Sequence, residues 1–432
     1  MRFRASDVAA ATGGRLIGPD VEIDGAAFDS RAVCPGQLFV PLIAARDGHD
    51  FIDGARASGA AAYLTSRRAG MGTAVEVDDT LRALMDLARR MRRTHFAGTV
   101  IGITGSVGKT STKDLALAAL SASRTAHANE RSFNNDQGLP TTILNTPDGT
   151  AVLVVEMGMR GPGEIARLCD IAAPHIGVVT RVAEAHGDLV GGIEGVARAK
   201  AELVAALPAD GAAVLNADDA RVRAMAGRSE APVVTFGESA TADVHIDGVV
   251  LDELARPSFT ARTPWGTVEV RLGVSGRHMA LNAAAALACV GVVGGDVAAG
   301  AAALAGVGLS PMRMQLVRTA SGGLIINDCY NANPTSMRAA FATLADLPAR
   351  RRVALLGMMA EIADAAAEHE AILADALERG IEVIPVGTDL YGIAPTDDPV
   401  AAVGSIAGGD ALLVKGSRVV GLERWVAVLQ SM

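Results

Sequence analysis

Half of the 432 residues are hydrophobic and only 3% are aromatic, glycine fills 48 positions, and the formal net charge is −9. That length exceeds what one hydrophobic core usually serves, so three domains are expected, and the Ala- and Gly-rich composition suits an α/β fold rather than a disordered or fibrous chain. The acidic balance argues against a general affinity for nucleic acid or anionic membranes and leaves room only for a small cationic pocket.

From Met1 to Asp7 two arginines precede an acid, with no apolar core or small-residue cleavage pattern, so no secretory signal is read and a cytoplasmic location is expected. Short β-like runs follow at Leu38 to Leu42, Ala60 to Thr65 and Thr73 to Val77, then an Arg-rich helical segment from Leu81 to Arg93. Residues 1–95 are therefore expected to form a small α/β domain ending in a linker helix. From Thr99 apolar runs alternate with helical stretches, and strands are expected at Thr99 to Thr104, Ala151 to Val155, Ile176 to Thr180 and Ala212 to Asn216. This alternation predicts a central parallel-sheet domain over residues 96–308. The most apolar stretch, Ala283 to Leu309, is interrupted by Asp296 and rich in Gly, which favours buried helices over a membrane span.

A Gly/Pro link, G-V-G-L-S-P-M-R-M at residues 306–314, leads to apolar runs at Leu324 to Asn327, Val353 to Leu356, Val383 to Val386 and Ala411 to Val414. Residues 309–432 are expected to form a Rossmann-like, doubly wound domain. Cys34, Cys169, Cys289 and Cys329 are widely spaced without a C-x-x-C pair, which favours reduced structural thiols over a metal site or disulfides.

The sharpest local signal is T-V-I-G-I-T-G-S-V-G-K-T-S, an apolar strand ending in a Gly-rich turn before a helix. Gly105 and Gly108 let backbone N–H groups close around a phosphate chain, the helix N-terminus adds positive potential, and Lys109 adds a mobile cation. Thr104 to Ser111, including Ser106 and Val107, are thus assigned to ATP, with the Thr110 hydroxyl available to Mg2+. The general phosphate-loop pattern would place Gly at 103, where this chain has Ile103. Ligands of open α/β sheets sit beyond the carboxyl ends of the strands. Glu156 follows the run A-V-L-V-V, and His186 follows I-G-V-V-T within R-V-A-E-A-H-G, so both are candidates at that edge. Lys200, in A-R-A-K-A-E-L, reads from its surroundings as an exposed helical lysine.

These motifs resemble those of the Mur ligases, cytoplasmic enzymes that build the peptide stem of peptidoglycan, and T-G-S-V-G-K-T matches that family's shorter phosphate loop. The resemblance covers nearly the whole chain. It implies that Lys109 and Thr110 serve ATP and Mg2+, that Glu156 holds the same magnesium, and that His186 and a carbamylated Lys200 hold a second one. Lys109, His186 and Lys200 become the catalytic candidates. Near the N-terminus F-D-S-R-A-V-C-P-G-Q-L-F-V-P-L and D-G-H-D-F resemble the region receiving a UDP-sugar, which carries that role to Asp29, Ser30 and Arg31. In N-N-D-Q-G-L-P the resemblance places Asn134 and Asn135 near the phosphates, and N-A-D-D at Asn216 to Asp219 also fits. G-R-H-M-A-L-N places Asn282 near adenine, while Arg313 and Asp328 approach ATP when the domains close.

The stretch N-D-C-Y-N-A-N-P-T-S-M, residues 327–337, resembles the branch that adds D-alanyl-D-alanine to UDP-N-acetylmuramoyl-tripeptide, and no D-N-P-R string of the diaminopimelate-adding branch occurs. Asn331, Asn333 and Pro334, with Lys415 and Ser417 from K-G-S-R, are the implied dipeptide-site residues; read alone, N-A-N-P is a polar turn after a strand. Two positions depart from the family pattern: Met312 stands where Gly is usual and Met358 where an acid is usual. The rival readings are a Mur ligase adding diaminopimelate or lysine, a folylpolyglutamate synthase-like ligase, and a phosphate-loop regulatory switch that makes no peptide bond. The sequence sets no oligomeric state and is compatible with a monomer.

Overall fold

A computed structural model describes residues 1–130, 133–183, 191–360, 362 and 364–432. Four sheets occur among the described residues; the first two are interleaved in the chain and the other two follow in order. A two-stranded antiparallel ribbon pairs Arg2–Arg4 with Glu22–Asp24. A five-stranded sheet then runs in the order Arg15–Ile17, Ala74–Glu76, Ala62–Thr65, Leu38–Phe39 and Ala26–Ala27, antiparallel only at its first pair.

The central sheet has nine strands in the order Gly266–Arg271, Pro257–Thr263, Val244–Leu251, Val233–Gly237, Ala212–Asn216, Ile176–Val179, Thr99–Thr104, Val152–Glu156 and Ala126–Ala128. All neighbours are parallel except the two pairs at the Gly266–Arg271 edge. Strands buried on both faces read as continuous apolar runs, which is why Thr99–Thr104 and Val152–Glu156 were legible as strands. Alternate residues serve opposite faces. Ile101, Ile103, Val154 and Val178 pack with Leu115, Ala119 and Leu120 of the helix Lys109–Ser121 and with the helix Met279–Val292. Val100, Leu153, Val155 and Val179 pack with the helices Gly138–Leu144, Glu164–Ala172 and Gly192–Ala205.

The apolar stretch after residue 279 forms buried helices, as expected, and no helix among the described residues is long and apolar enough to cross a membrane. The last sheet runs Gln315–Arg318, Leu324–Asp328, Asp410–Lys415, Arg351–Leu356 and Glu382–Pro385, parallel except at the first pair. Helices cover both its faces: Met337, Phe341 and Leu344 on one, Val426 and Leu429 on the other.

The first unit is tied to the central sheet by side chains that stand in for backbone. The Asn145 amide donates to Ala26 O at 2.9 Å and accepts from Ala26 N at 2.9 Å, extending the edge strand Ala26–Ala27 as a further peptide would. The linker helix Thr80–Thr94 starts at Asp79, whose carboxylate accepts from Leu81 N and Arg82 N. Near its end the buried Arg92 guanidinium donates to Ala172 O, Ala173 O and Phe96 O, covering the carbonyl end of the helix Glu164–Ala172. All four cysteines are free; Cys34 is exposed, and burial pushes the Cys169, Cys289 and Cys329 thiols up to about 12.

Candidate active site

The strand Thr99–Thr104 lies inside the central sheet, third from its Ala126–Ala128 edge, and the turn that follows opens at the sheet's carboxyl edge. Gly105 and Gly108 take φ of 151° and 84°, and a side chain at Gly105 would collide with Thr180 Oγ1. A Cβ at Gly108 would stand 2.7 Å from Asn282 Oδ1, so glycine at both positions lets the backbone pass between neighbouring elements. The turn is held from the next strand. Thr180 Oγ1 donates to Val107 O at 2.6 Å, Ser106 N donates to Arg181 O at 2.7 Å, and Ser106 Oγ donates to Ala183 O at 2.9 Å. The helix Lys109–Ser121 begins without a side-chain cap, which leaves its first amides directed at the turn. Lys109 Nζ donates to Gly105 O at 2.7 Å, folding the ammonium over the loop.

Glu156 ends the strand beside Thr99–Thr104, with Glu156 in register with Ile103. Its carboxylate is buried and accepts from Thr110 Oγ1 at 2.7 Å and Asn134 Nδ2 at 2.8 Å, while its backbone N–H donates to Asn129 Oδ1. Asn134 therefore reaches the acid. Asn135 also lines the cleft, but its Oδ1 accepts from Gln137 N and Gly138 N at the start of the helix Gly138–Leu144.

These groups line a cavity of ≈ 920 Å³ between the central and last sheets. Asn282 faces Gly108 there, and from the other side come Arg313, Asp328, Asn331, Asn333 and Lys415. Arg313 Nη2 donates to Thr110 Oγ1 at 3.2 Å, linking the two sides. Lys415 is buried and donates to Asp328 Oδ2 at 2.5 Å and to Asn331 O at 3.0 Å, and Asp328 Oδ1 accepts from Met314 N. His278 lines the same cavity, and burial lowers its pKa to about 4.

The remaining expected residues divide. Thr104 is buried beneath the loop, where its hydroxyl donates to Met157 O. Ser111 lines the cleft; Asn333 also caps the helix Pro334–Asp346, accepting from Ser336 N, with Pro334 in its first turn. Pro334 and Ser417 do not line the cavity; Ser417 Oγ instead accepts from Ala360 N. Asp29, Ser30 and Arg31 follow the strand Ala26–Ala27 outside the cavity, and the Arg31 guanidinium beside Asp29 lowers that carboxyl to about 2. Asn216 donates to Thr180 O, and Asp219 caps the helix Ala220–Ala224. Met312 takes φ 62° and Met314 φ 47°, a region glycine adopts more readily, which gives the Met312 departure a local cost.

Lys200 corrects the reading of an exposed lysine: it is 4% exposed on the helix Gly192–Ala205, with no hydrogen-bond or ion-pair partner among the described residues. Burial, and then the charge of Lys109, push its pKa well below the usual lysine range. Its helix spacing gave no warning, because neighbouring alanines accommodate either face. His186 lies outside the described residues. Thr180 and Tyr330 were missed: Thr180 was visible only as the end of an expected strand, and Tyr330 as the aromatic residue within N-D-C-Y-N-A-N-P.

No group of three or more His, Cys, Asp or Glu suited to a metal occurs among the described residues. Thr110 and Glu156 nevertheless present adjoining hard oxygens beside a phosphate loop, the donor type Mg2+ uses together with substrate phosphates.

Comparison with known proteins matches residues 103–290 to the Mur ligase middle domain and residues 312–418 to the glutamate ligase domain of Mur ligases. The chain is 45% identical to the UDP-N-acetylmuramoyl-tripeptide--D-alanyl-D-alanine ligase of Mycobacterium tuberculosis over 80% of this chain and 74% of that protein. It is 34% identical to the Escherichia coli protein of the same name over 96% of each. A crystal structure of MurF from Acinetobacter baumannii superposes with TM-score 0.88 at 27% identity, covering 100% of this chain and 99% of that one. MurF from Thermotoga maritima in complex with ADP gives 0.82 at 28% identity, covering 94% and 97%.

Proposed function

The chain belongs to the Mur ligase family, and we propose that its cleft joins D-alanyl-D-alanine to UDP-N-acetylmuramoyl-tripeptide through an acyl phosphate. It is an ATP-dependent peptide ligase of peptidoglycan precursor synthesis. The observation that carries the mechanism is the convergence in one cavity of the phosphate loop, Glu156 and the N-A-N-P segment of the last domain.

The tripeptide's terminal carboxylate attacks the γ-phosphorus of ATP, the bond to ADP breaks, and an acyl phosphate forms. The free amine of the dipeptide then attacks the acyl carbon, loses a proton, and expels phosphate to leave an amide. Lys109 and the helix N-terminus neutralise charge on the phosphoryl oxygens throughout, where a site closed to water strengthens them. Magnesium, when bound, screens the same oxygens, and Thr110 and Glu156 would hold it. Asn134 and Thr110 orient the Glu156 carboxylate.

A second magnesium would draw on His186 and a carbamate on Lys200. Burial without a partner among the described residues supports this, since it favours the neutral amine, the form that adds CO2, and a carbamate would exchange the unfavourable buried cation for a metal-paired anion. Asn282 suits adenine from its place against Gly108, and Arg313 and Asp328 close on ATP from the last domain. We assign residues 1–95 to the UDP-sugar through Asp29, Ser30 and Arg31, residues 96–308 to ATP, and residues 309–432 to the dipeptide. Asn331 and Lys415 face the cleft and support that last assignment; Asn333, Pro334 and Ser417 would act by shaping the loops around it. A cytoplasmic location follows from the use of ATP and a UDP-linked precursor. Offering tripeptide with D-alanyl-D-alanine, UDP-muramoyl dipeptide with diaminopimelate or lysine, and folate with glutamate tests the reading: pentapeptide is expected from the first pair alone.

A further inference from the structure

Arg313 enters the cleft from the link between the central and last sheets, with the left-handed residues Met312 and Met314 on either side. Its Nη2 donates to Thr110 Oγ1 at 3.2 Å, but its buried Nε has no hydrogen-bond partner among the described residues. Hydrogen bonds alone therefore leave the guanidinium free to turn about the Nη2 contact. The ring of Tyr330 lies against it, with the Arg313 Cζ 4.1 Å from the ring centroid. At that distance the negative face of the ring attracts the cation, and the attraction is stronger where water is excluded. Tyr330 lines the same cavity as the phosphate loop and directly precedes Asn331.

We propose that Tyr330 is a positioning residue, whose ring face holds the Arg313 guanidinium at the Thr110 end of the phosphate loop, where charge develops during phosphoryl transfer. This rests on the ligase reading above. The contribution comes from the ring and not from the phenol hydroxyl, for which no hydrogen bond is found among the described residues. Because Arg313 meets the loop at Thr110 and not at the Asn282 side of the cleft, loss of the ring acts on turnover more than on nucleotide affinity.

The test uses the full chain with Tyr330→Phe, Tyr330→Leu, Arg313→Ala and the Arg313→Ala/Tyr330→Leu pair, reading kcat for pentapeptide formation and the Kd for ADP by calorimetry. Tyr330→Leu is expected to lower kcat about tenfold and change the ADP Kd by less than about threefold, while Tyr330→Phe keeps at least about a third of kcat. In the Arg313→Ala background the Leu substitution should add less than about twofold, since the two side chains act as one unit. Phenylalanine carrying one to three ring fluorines at position 330 keeps the shape of the ring while weakening its negative face, and kcat should fall with each fluorine. A flat fluorine series, or an undiminished Leu effect without Arg313, overturns the role of Tyr330. Absence of pentapeptide from the unaltered protein defeats the ligase reading and this proposal together, so the two failures are distinguishable.

Discussion

Thr110 Oγ1 donates to Glu156 Oε2 across 2.7 Å, tying the first turn of the phosphate-loop helix to the end of the neighbouring strand. Glu156→Gln keeps the shape and an acceptor for Thr110 but removes the charge. The Mg2+ concentration for half-maximal ADP formation should rise about 10- to 100-fold, the range seen when a metal site loses a supporting group. Magnesium titration checks this, and an unchanged requirement would remove Glu156 from the metal site.

Lys109→Ala should lower ligation by about 10²- to 10³-fold, the cost of deleting one preorganised charge-stabilising group. The side chain folds over a surface loop and carries little core packing, so the unfolding temperature should stay within a few degrees. Turnover near that of the unaltered protein would reject the role.

The central strands were legible because burial on both faces demands unbroken apolar runs, and the phosphate loop because its glycines answer to specific close approaches by Thr180 and Asn282. What was not legible depends on partners distant in sequence. Lys200 sits in a helix whose alanines give no sign of which face is covered, and Arg92 is one of several arginines in a helix where Arg89 and Arg93 pair with Asp170 at the surface. Asn333 and Pro334 were read for substrate contact, whereas helix-start chemistry accounts for both types at those positions. Tyr330 acquires its meaning only when the last sheet is placed against the phosphate loop.

Lys200 gives a pH signature. Its folded pKa lies below the unfolded value, so in CO2-free buffer unfolding takes up a proton, and stability should rise with pH between the lowered value and the model-peptide value of about 10.4. Lys200→Met should flatten that slope, unfold no earlier than the unaltered chain at neutral pH, and lack ligase activity. Activity of the unaltered protein should fall on CO2 removal and return with bicarbonate. Thermal unfolding across pH with and without bicarbonate checks this; a slope unaffected by Lys200→Met would contradict a buried neutral amine.

Arg92→Leu should destabilise the protein by about 3 kcal/mol, because three backbone carbonyls lose their shared donor where water does not readily replace it. Urea unfolding measures it. The larger effect should be on the junction between the linker helix and the helix Glu164–Ala172, so limited proteolysis is expected to cut near residues 94–98 before the central sheet opens.

The central claim, amide synthesis through an acyl phosphate, is tested most directly by supplying tripeptide with 18O in its terminal carboxylate, together with ATP and D-alanyl-D-alanine, and weighing both products. One 18O is predicted in the released phosphate for every pentapeptide formed, with the other retained in the new amide. Phosphate released without label, or without pentapeptide, would contradict the account and point to hydrolysis by a phosphate-loop switch.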